Sequence, residues 1–364
     1  MKSEGSFHVA YNARSLSVFD VCKTFVPNDS YYKLGAPSHS LLIGPRGSGK
    51  TTLMRMLQVE AVGEWTSDEA CELRKKLDYT GVFIPTDRLW KQQYECISNL
   101  VVDETRQRAL GLANALFLYH VLECLGDALR YRFSSKEAFK TLVLDDVNES
   151  TLIKELADLW RLKPRILSVR GLISALAKKK YDLNYELNAV VSGEGIVGTE
   201  PFLHQDVVSI IGASVKLINL TTECVGDKWV FLFDELELAP DYIIAPLYET
   251  MRGGYDDVFY KLSLSPYNEN LNVGSGPTRP MPQHDYDLIR IPDLNANSFE
   301  FSKKLISHVF LSNGFEKPVE QYFERVPELN VVKVFSSLSE KDEGFRKYLI
   351  DNDIKIEKLL DYGD

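Results

Sequence analysis

Apolar residues cluster in three short uninterrupted runs: Leu41-Leu42-Ile43, Gly81-Val82-Phe83-Ile84 and Trp229-Val230-Phe231-Leu232-Phe233. None alternates with polar residues, and they stop at Gly44, Pro85 and Asp234. Such runs predict strands buried on both faces, as in a parallel sheet. Two further strands are predicted over residues 260–265 and 287–291, the second reached through a Pro/Gly-rich segment at 272–285. Between the strands the apolar period lengthens to that of a helix. It does so in TTLMRMLQVEAV after the first run, SDEACELRKKL before the second, residues 204–225 before the third and 245–252 after it. Strands alternating with helices predict an α/β fold, a parallel sheet flanked by helices on both faces.

Residues 103–180 break that alternation. TRQRALGLANALFLYHVLECLGDALRYRF carries apolar residues at helical spacing, Ser134 and Ser135 read as a cap before a helix over KEAFKTLV, and two more helices follow. The stretch reads as a helical insertion into a sheet domain. The expected division is an N-terminal segment with the first half of the core at 1–102, the insertion at 103–190, the second half of the core at 191–295 and a helical lid region at 296–364. Residues 191–203 read as a loop, and the tail carries helices over FSKKLISHVFLS and residues 340–350. The ending DYGD follows no obvious closing element and reads as the edge of a longer protein.

Composition changes this picture little. The 364 residues are 45% hydrophobic and 26% charged, enough for one large domain or two medium ones. A net charge of -10 argues against a surface that grips nucleic acid all over and leaves room for a local basic face. Five scattered cysteines, without a C-x-x-C pair, suit reduced thiols rather than disulfides or a zinc site. The start has no basic-then-apolar leader, and the most apolar helical stretch, residues 112–125, is too short to span a bilayer; a cytoplasmic protein is expected.

Candidate chemistry sits where two of the apolar runs end. Gly44-Pro45-Arg46-Gly47-Ser48-Gly49-Lys50-Thr51, followed by Thr52, is a complete G-x-x-x-x-G-K-[ST] phosphate loop in its required place between a buried strand and a helix. Its glycines let the backbone wrap a phosphate with N–H groups turned inward. Lys50 reaches the β- and γ-phosphates, and the Thr51 hydroxyl is a ligand for Mg²⁺. The third run ends in Asp234-Glu235. A carboxylate at a strand tip can hold the metal's shell, and the next can draw a proton from the attacking water. ATP and Mg²⁺ are therefore the expected ligands, with Asp234 on the metal and Glu235 as general base. Glu237 competes for the base role and otherwise reads as solvated. Ser265, at the end of the fourth strand, is the candidate for touching the γ-phosphate or the water, with Ser263 the lesser choice. Arg279, in GPTRP, is a candidate charge-stabilising finger toward a neighbouring subunit.

One basic run stands out. Arg161, Lys163, Arg165, Arg170, Lys178, Lys179 and Lys180 occur with no acid between Asp158 and Asp182. It reads either as a solvated helix face or as a contact for nucleic acid or an acidic partner.

Taken together, FVP before the first strand, GPRGSGKTTLMRML, YTGVFIPTD, FLFDELELAP and KLSLSP resemble the AAA+ ATPases of the origin-recognition (ORC/CDC) type. More narrowly they resemble a bacterial, defence-associated branch. The resemblance implies five parallel strands in the AAA+ order, a helical lid after the last strand, and assembly into oligomers. It carries Lys50 and Thr51 to phosphate and Mg²⁺ contact, Asp234 and Glu235 to the metal and hydrolytic positions, and Ser265 to the polar sensing position of the fourth strand. The long insertion departs from a minimal AAA+ core, Arg325 and Arg346 are the candidates for a lid arginine, and no winged-helix domain is evident. The expected function is an ATP-driven switch or loader in a larger assembly, in antiviral defence or DNA transactions. The alternative is an ATP-locked scaffold for a partner effector, with little turnover.

Overall fold

The structure is a computed structural model and describes residues 16–86, 89–134, 139–193, 206–266, 279–291, 298–312, 321 and 343–351. The chain divides into two compact units, Met1–Phe301 and Ser302–Asp364. The first opens with helices α1 (Val18–Thr24) and α2 (Asp29–Leu34), then β1 (Ser40–Ile43), α3 (Lys50–Arg55), α4 (Val59–Glu64), α5 (Asp68–Lys76) and β2 (Thr80–Pro85). There follow α6 (Leu89–Ser98), α7 (Asp103–Ser134), α8 (Asp146–Leu159), α9 (Val169–Ser192) and α10 (Val207–Thr221). The unit continues with β3 (Trp229–Asp234), α11 (Asp241–Glu249), β4 (Val258–Leu264) and β5 (Asp287–Arg290). Helix α12 (Ser298–Ser312) runs across the division, and α13 (Glu343–Asp351) belongs to the second unit. Arg325, the loop at 194–203 and the segment 272–278 lie outside the described residues.

All five strands form one parallel sheet in the order β2-β3-β4-β1-β5, the order that the AAA+ resemblance implies. Alternation on the buried strands sorts side chains into two cores. Trp229, Phe231 and Phe233 point into one, with α7, α9 and α10; Val230 and Leu232 point into the other, with α1 to α5. An uninterrupted apolar run is what a strand covered on both faces requires.

The insertion is part of this architecture. Leu112, Leu116, Tyr119 and Leu122 of α7 belong to the same core as Phe231 and Phe233, and α7 and α9 pack along each other antiparallel, closed by an Arg108–Glu186 ion pair at 2.5 Å. Two of its buried polar side chains pair across helices: Tyr119 Oη donates to Trp160 O at 2.9 Å, and Trp160 Nε1 donates to Ser214 Oγ at 2.8 Å. At its far end Arg132, 1% exposed, donates to Asp227 and lies 5.1 Å over the Trp229 ring. Two expectations change. α7 has 32 residues, so by length and composition it could cross a membrane, yet two-thirds of its most apolar window is buried inside the protein. Ser134 ends α7 rather than capping a new helix; of KEAFKTLV, residues 136–138 lie outside the described residues and 139–143 are turn and coil.

At the end of the sheet where the strands begin, a lysine is buried. Lys261, 0% exposed on β4, donates to Ala36 O, Ser38 O and Ser40 Oγ at 2.8, 2.9 and 3.1 Å, using all three ammonium hydrogens. Burial pushes its pKa down to about 7, against the pull of Asp287. Beside it, His39 Nδ1 accepts from Tyr260 N–H at 3.0 Å, and burial together with the charge of Lys261 holds the His39 pKa down to about 4.

Acid should therefore weaken the fold with a definite sign. The folded-state pKa of His39 lies below its ordinary 6.5, so the unfolded chain takes up the proton first. The contribution is whole above pH 6.5 and is lost as pH falls toward 4. Between pH 7 and pH 5 the urea midpoint should drop by the equivalent of about 1–2 kcal/mol from this group. His39→Asn, which keeps an acceptor near Tyr260 N–H and does not titrate, should drop markedly less; an identical pH slope would place the acid sensitivity elsewhere.

Candidate nucleotide and metal site

The phosphate loop leaves β1 at Gly44, whose N–H still pairs with Leu264 O of β4 at 3.2 Å. Gly47 and Gly49 then adopt φ of 81° and 87°, left-handed conformations that cost a side-chain-bearing residue about 1 kcal/mol or more. No atom lies within 4 Å of a Cβ built on either, so backbone conformation rather than space demands glycine there. Pro45, Arg46 and Gly47 are exposed along the outer rim, and Ser48 Oγ is buried without a hydrogen-bond partner. Lys50 and Thr51 open α3, with Thr52 following. Lys50, 6% exposed, folds its ammonium back onto Gly44 O at 2.5 Å and Pro45 O at 3.2 Å.

Across the sheet, β3 delivers Asp234 to the same place. Its carboxylate is 1% exposed. Oδ2 accepts from Thr51 Oγ1 at 2.7 Å, Oδ1 accepts from Ser263 Oγ at 2.9 Å, and the main-chain oxygen accepts from Thr86 Oγ1. The loop and the strand tip, 183 residues apart in the chain, thus converge through one hydrogen bond. β4 lies between β3 and β1 in the sheet, which is why a serine on β4 reaches the same carboxylate.

Glu235 follows in an unusual conformation, φ 52° and ψ 42°. A non-glycine residue held there stores strain on the order of 1 kcal/mol, and Lys140, Arg161, Glu223 and Gln283 share that positive φ elsewhere in the chain. The turn takes Glu235 out of the strand alternation to a half-exposed position beside Asp234. Glu237, on the single 3₁₀ turn Leu236–Leu238, is not solvated as the sequence suggested: its Oε2 is buried without a partner, and burial raises its pKa while the charge of Lys50 opposes the rise. Arg55 of α3 lies close enough to Asp234 to interact electrostatically, and it donates to Leu16 O at 3.0 Å.

The remaining candidates separate. Ser263, the lesser choice from sequence, makes the contact with Asp234, while Ser265 stands two residues along the same face, just beyond the end of β4 and half-buried. A serine flanked by two leucines at the end of β4 is the signal for Ser263; nothing local marks Thr86. Arg279 is exposed and precedes β5. Parallel strands all start at one end, so Arg279 sits at the end of the sheet opposite the phosphate loop of its own chain. Lys180 of the basic run is drawn into a pair with Glu123 at 2.5 Å and is not an outward-facing cation.

A hard divalent cation fits this donor set. Thr51 and Asp234 offer oxygen only, and the buried carboxylate has neutral hydroxyls rather than a cationic side chain as its hydrogen-bond partners. Among the described residues no group of three or more His, Cys, Asp or Glu could enclose a metal, so its other ligands would come from phosphate and water. The orphaned Ser48 hydroxyl and the folded-back Lys50 are polar groups that an anion in the loop would engage.

The profile of the ORC-CDC6-like family matches residues 6–362, nearly the whole chain. No curated protein and no solved structure gives a match. With a five-stranded parallel sheet in AAA+ order, a phosphate loop on β1 and an acidic pair at the tip of β3, the chain belongs to the ORC-CDC6-like family, AAA+ ATPases that bind nucleotide.

Proposed function

We propose that the chain hydrolyses ATP and that its nucleotide cycle switches a larger assembly. The observation that carries this reading is the 2.7 Å hydrogen bond between Thr51 and Asp234, which joins the phosphate loop to the acidic strand tip. On binding ATP, Lys50 exchanges its two carbonyl acceptors for phosphate oxygens. Thr51 and Asp234 would hold Mg²⁺, which when bound would neutralise charge on the triphosphate. Ser263 keeps one oxygen of Asp234 occupied and so orients the other. Glu235, turned out of the strand, takes the proton of the attacking water. Arg279, remote from its own phosphate loop, is placed to serve a neighbouring copy in an oligomer. The resemblance to the defence-associated branch supports a role in antiviral defence or DNA transactions in the cytoplasm.

The partner that suits this molecule is a nucleic acid. Arg161, Lys163, Arg165, Arg170 and Lys178 are exposed and form no ion pair among the described residues. At 100° per residue, Arg170, Lys178, Tyr181 and Tyr185 fall on one stripe of α9, with the two tyrosines 73% and 71% exposed. Cations for phosphate beside rings for bases form a nucleic-acid surface even on an acidic chain.

Glu235→Gln should bind ATP as the wild type does and lose turnover by about 10²–10⁴-fold, whereas Lys50→Ala should lose binding. Light scattering with and without ATP should show assembly in the wild type and in Glu235→Gln but not in Lys50→Ala. Full biological function in Glu235→Gln would favour a scaffold over a switch, and wild-type hydrolysis in that variant would remove Glu235 from the base role. Ser263→Ala, read by Mg²⁺ titration of nucleotide binding, should weaken apparent Mg²⁺ affinity about 10-fold. A variant carrying Arg165→Glu, Arg170→Glu and Lys178→Glu should bind a labelled oligonucleotide more weakly, with a log–log salt slope shallower by roughly 2–3; an unchanged slope would return this face to plain solvent.

A further inference from the structure

The insertion touches the nucleotide end of the sheet at one residue whose role the mechanism above leaves unassigned. β2 is an edge strand, and its last residue, Pro85, stands in register with Asp234. Proline has no N–H, so the Pro85 carbonyl is its only main-chain handle. That carbonyl lies 2.9 Å from Nε2 of His120, on α7. The next residue, Thr86, donates to the main-chain oxygen of Asp234. Whatever fixes Pro85 therefore fixes the hydroxyl that braces the metal carboxylate from behind.

The His120 ring is itself fixed from three sides. A carbonyl can only accept, so Nε2 carries the hydrogen; Nδ1 lies 3.5 Å from Lys180 Nζ, which can only donate, so Nδ1 is bare. Trp90 meets the ring edge to face at 5.3 Å. Lys180, on α9, is anchored in turn to Glu123 of α7. A path of hydrogen bonds, with the Pro85–Thr86 peptide link as its one covalent step, thus runs from the helix that bears Arg170, Lys178 and the two exposed tyrosines to the backbone of Asp234.

We infer that His120 is a positioning residue: it clamps the tip of β2 through Pro85, holds Thr86 on Asp234, and makes the metal site and α9 sensitive to each other. The inference rests on reading Thr51 and Asp234 as the Mg²⁺ site. Groups that brace a ligand carboxylate set metal affinity without touching the metal, and any such coupling acts equally in both directions.

The test uses the full chain and a fluorescent ATP analogue, titrated with Mg²⁺ and separately without it. His120→Ala should raise the apparent Mg²⁺ constant about 10-fold, with thermal midpoint and Mg²⁺-free analogue binding little changed, and His120→Gln, whose amide can donate to Pro85 O, should return to within about 3-fold of wild type. Thr86→Val, one link nearer Asp234, should reproduce the His120→Ala shift. Wild-type Mg²⁺ constants in His120→Ala or in Thr86→Val would overturn the inference, as would equal impairment of His120→Ala and His120→Gln with a lowered melting point. A wild-type protein with no Mg²⁺-dependent binding would bring down the site reading and this inference together, whereas Mg²⁺-dependent wild type with unaltered variants overturns the tether alone.

Discussion

Asp234 is almost wholly withdrawn from solvent, and the hydrogen-bond partners of its carboxylate are neutral hydroxyls, from Thr51 on one side and Ser263 on the other, while Arg55 acts on it only through space. A buried anion in that condition costs free energy unless something completes it, and a divalent cation with a phosphate behind it is the natural completion. The arrangement of the sheet follows from this demand. β4 must lie between β3 and β1 for Ser263 to reach Asp234, and the loop after β1 must turn through two left-handed glycines for Thr51 to arrive from the other side. The folded-back Lys50, the orphaned Ser48 hydroxyl and the strained Glu235 backbone are further places where the fold holds polar groups short of their best local arrangement, and all cluster at this end of the sheet.

The opposite end of the sheet behaves differently. There Lys261 is saturated by two carbonyls and a hydroxyl, and His39 accepts a main-chain N–H, so that these two basic side chains are held within the chain. The basic groups at the start of the strands are tied into the fold, whereas the loops at the C-terminal ends, where parallel sheets carry their chemistry, hold the candidate site.

The helical insertion joins these ends to a surface of its own. Its long helix shares a core with the aromatic face of β3, so it cannot move independently of that strand without opening the core. Its outer helix presents cations and tyrosines to solvent. The insertion is therefore packed on β3 on one side and exposed to solvent on the other.

The local pattern along the chain was enough for the elements near the site. Unbroken apolar runs marked β1, β2 and β3 because a parallel strand covered on both faces has no polar side to betray it, and the glycine loop and Asp234-Glu235 pair are contiguous motifs whose residue types follow from phosphate and metal chemistry. Contacts between distant segments were legible only in the folded chain. Ser263 rather than Ser265 meets Asp234 because β4 ends at Leu264, a register that strand pairing decides; one carboxylate oxygen of Glu237 is buried because the turn after β3 folds inward. Thr86, His120 and Lys180 are linked from three segments, and Lys180 turns from the basic run toward α7 because Glu123 lies opposite it there. Residue type and spacing along a chain record what each segment can do alone, while the identity of the partner across the sheet or between helices is set by packing, which no short stretch of sequence contains.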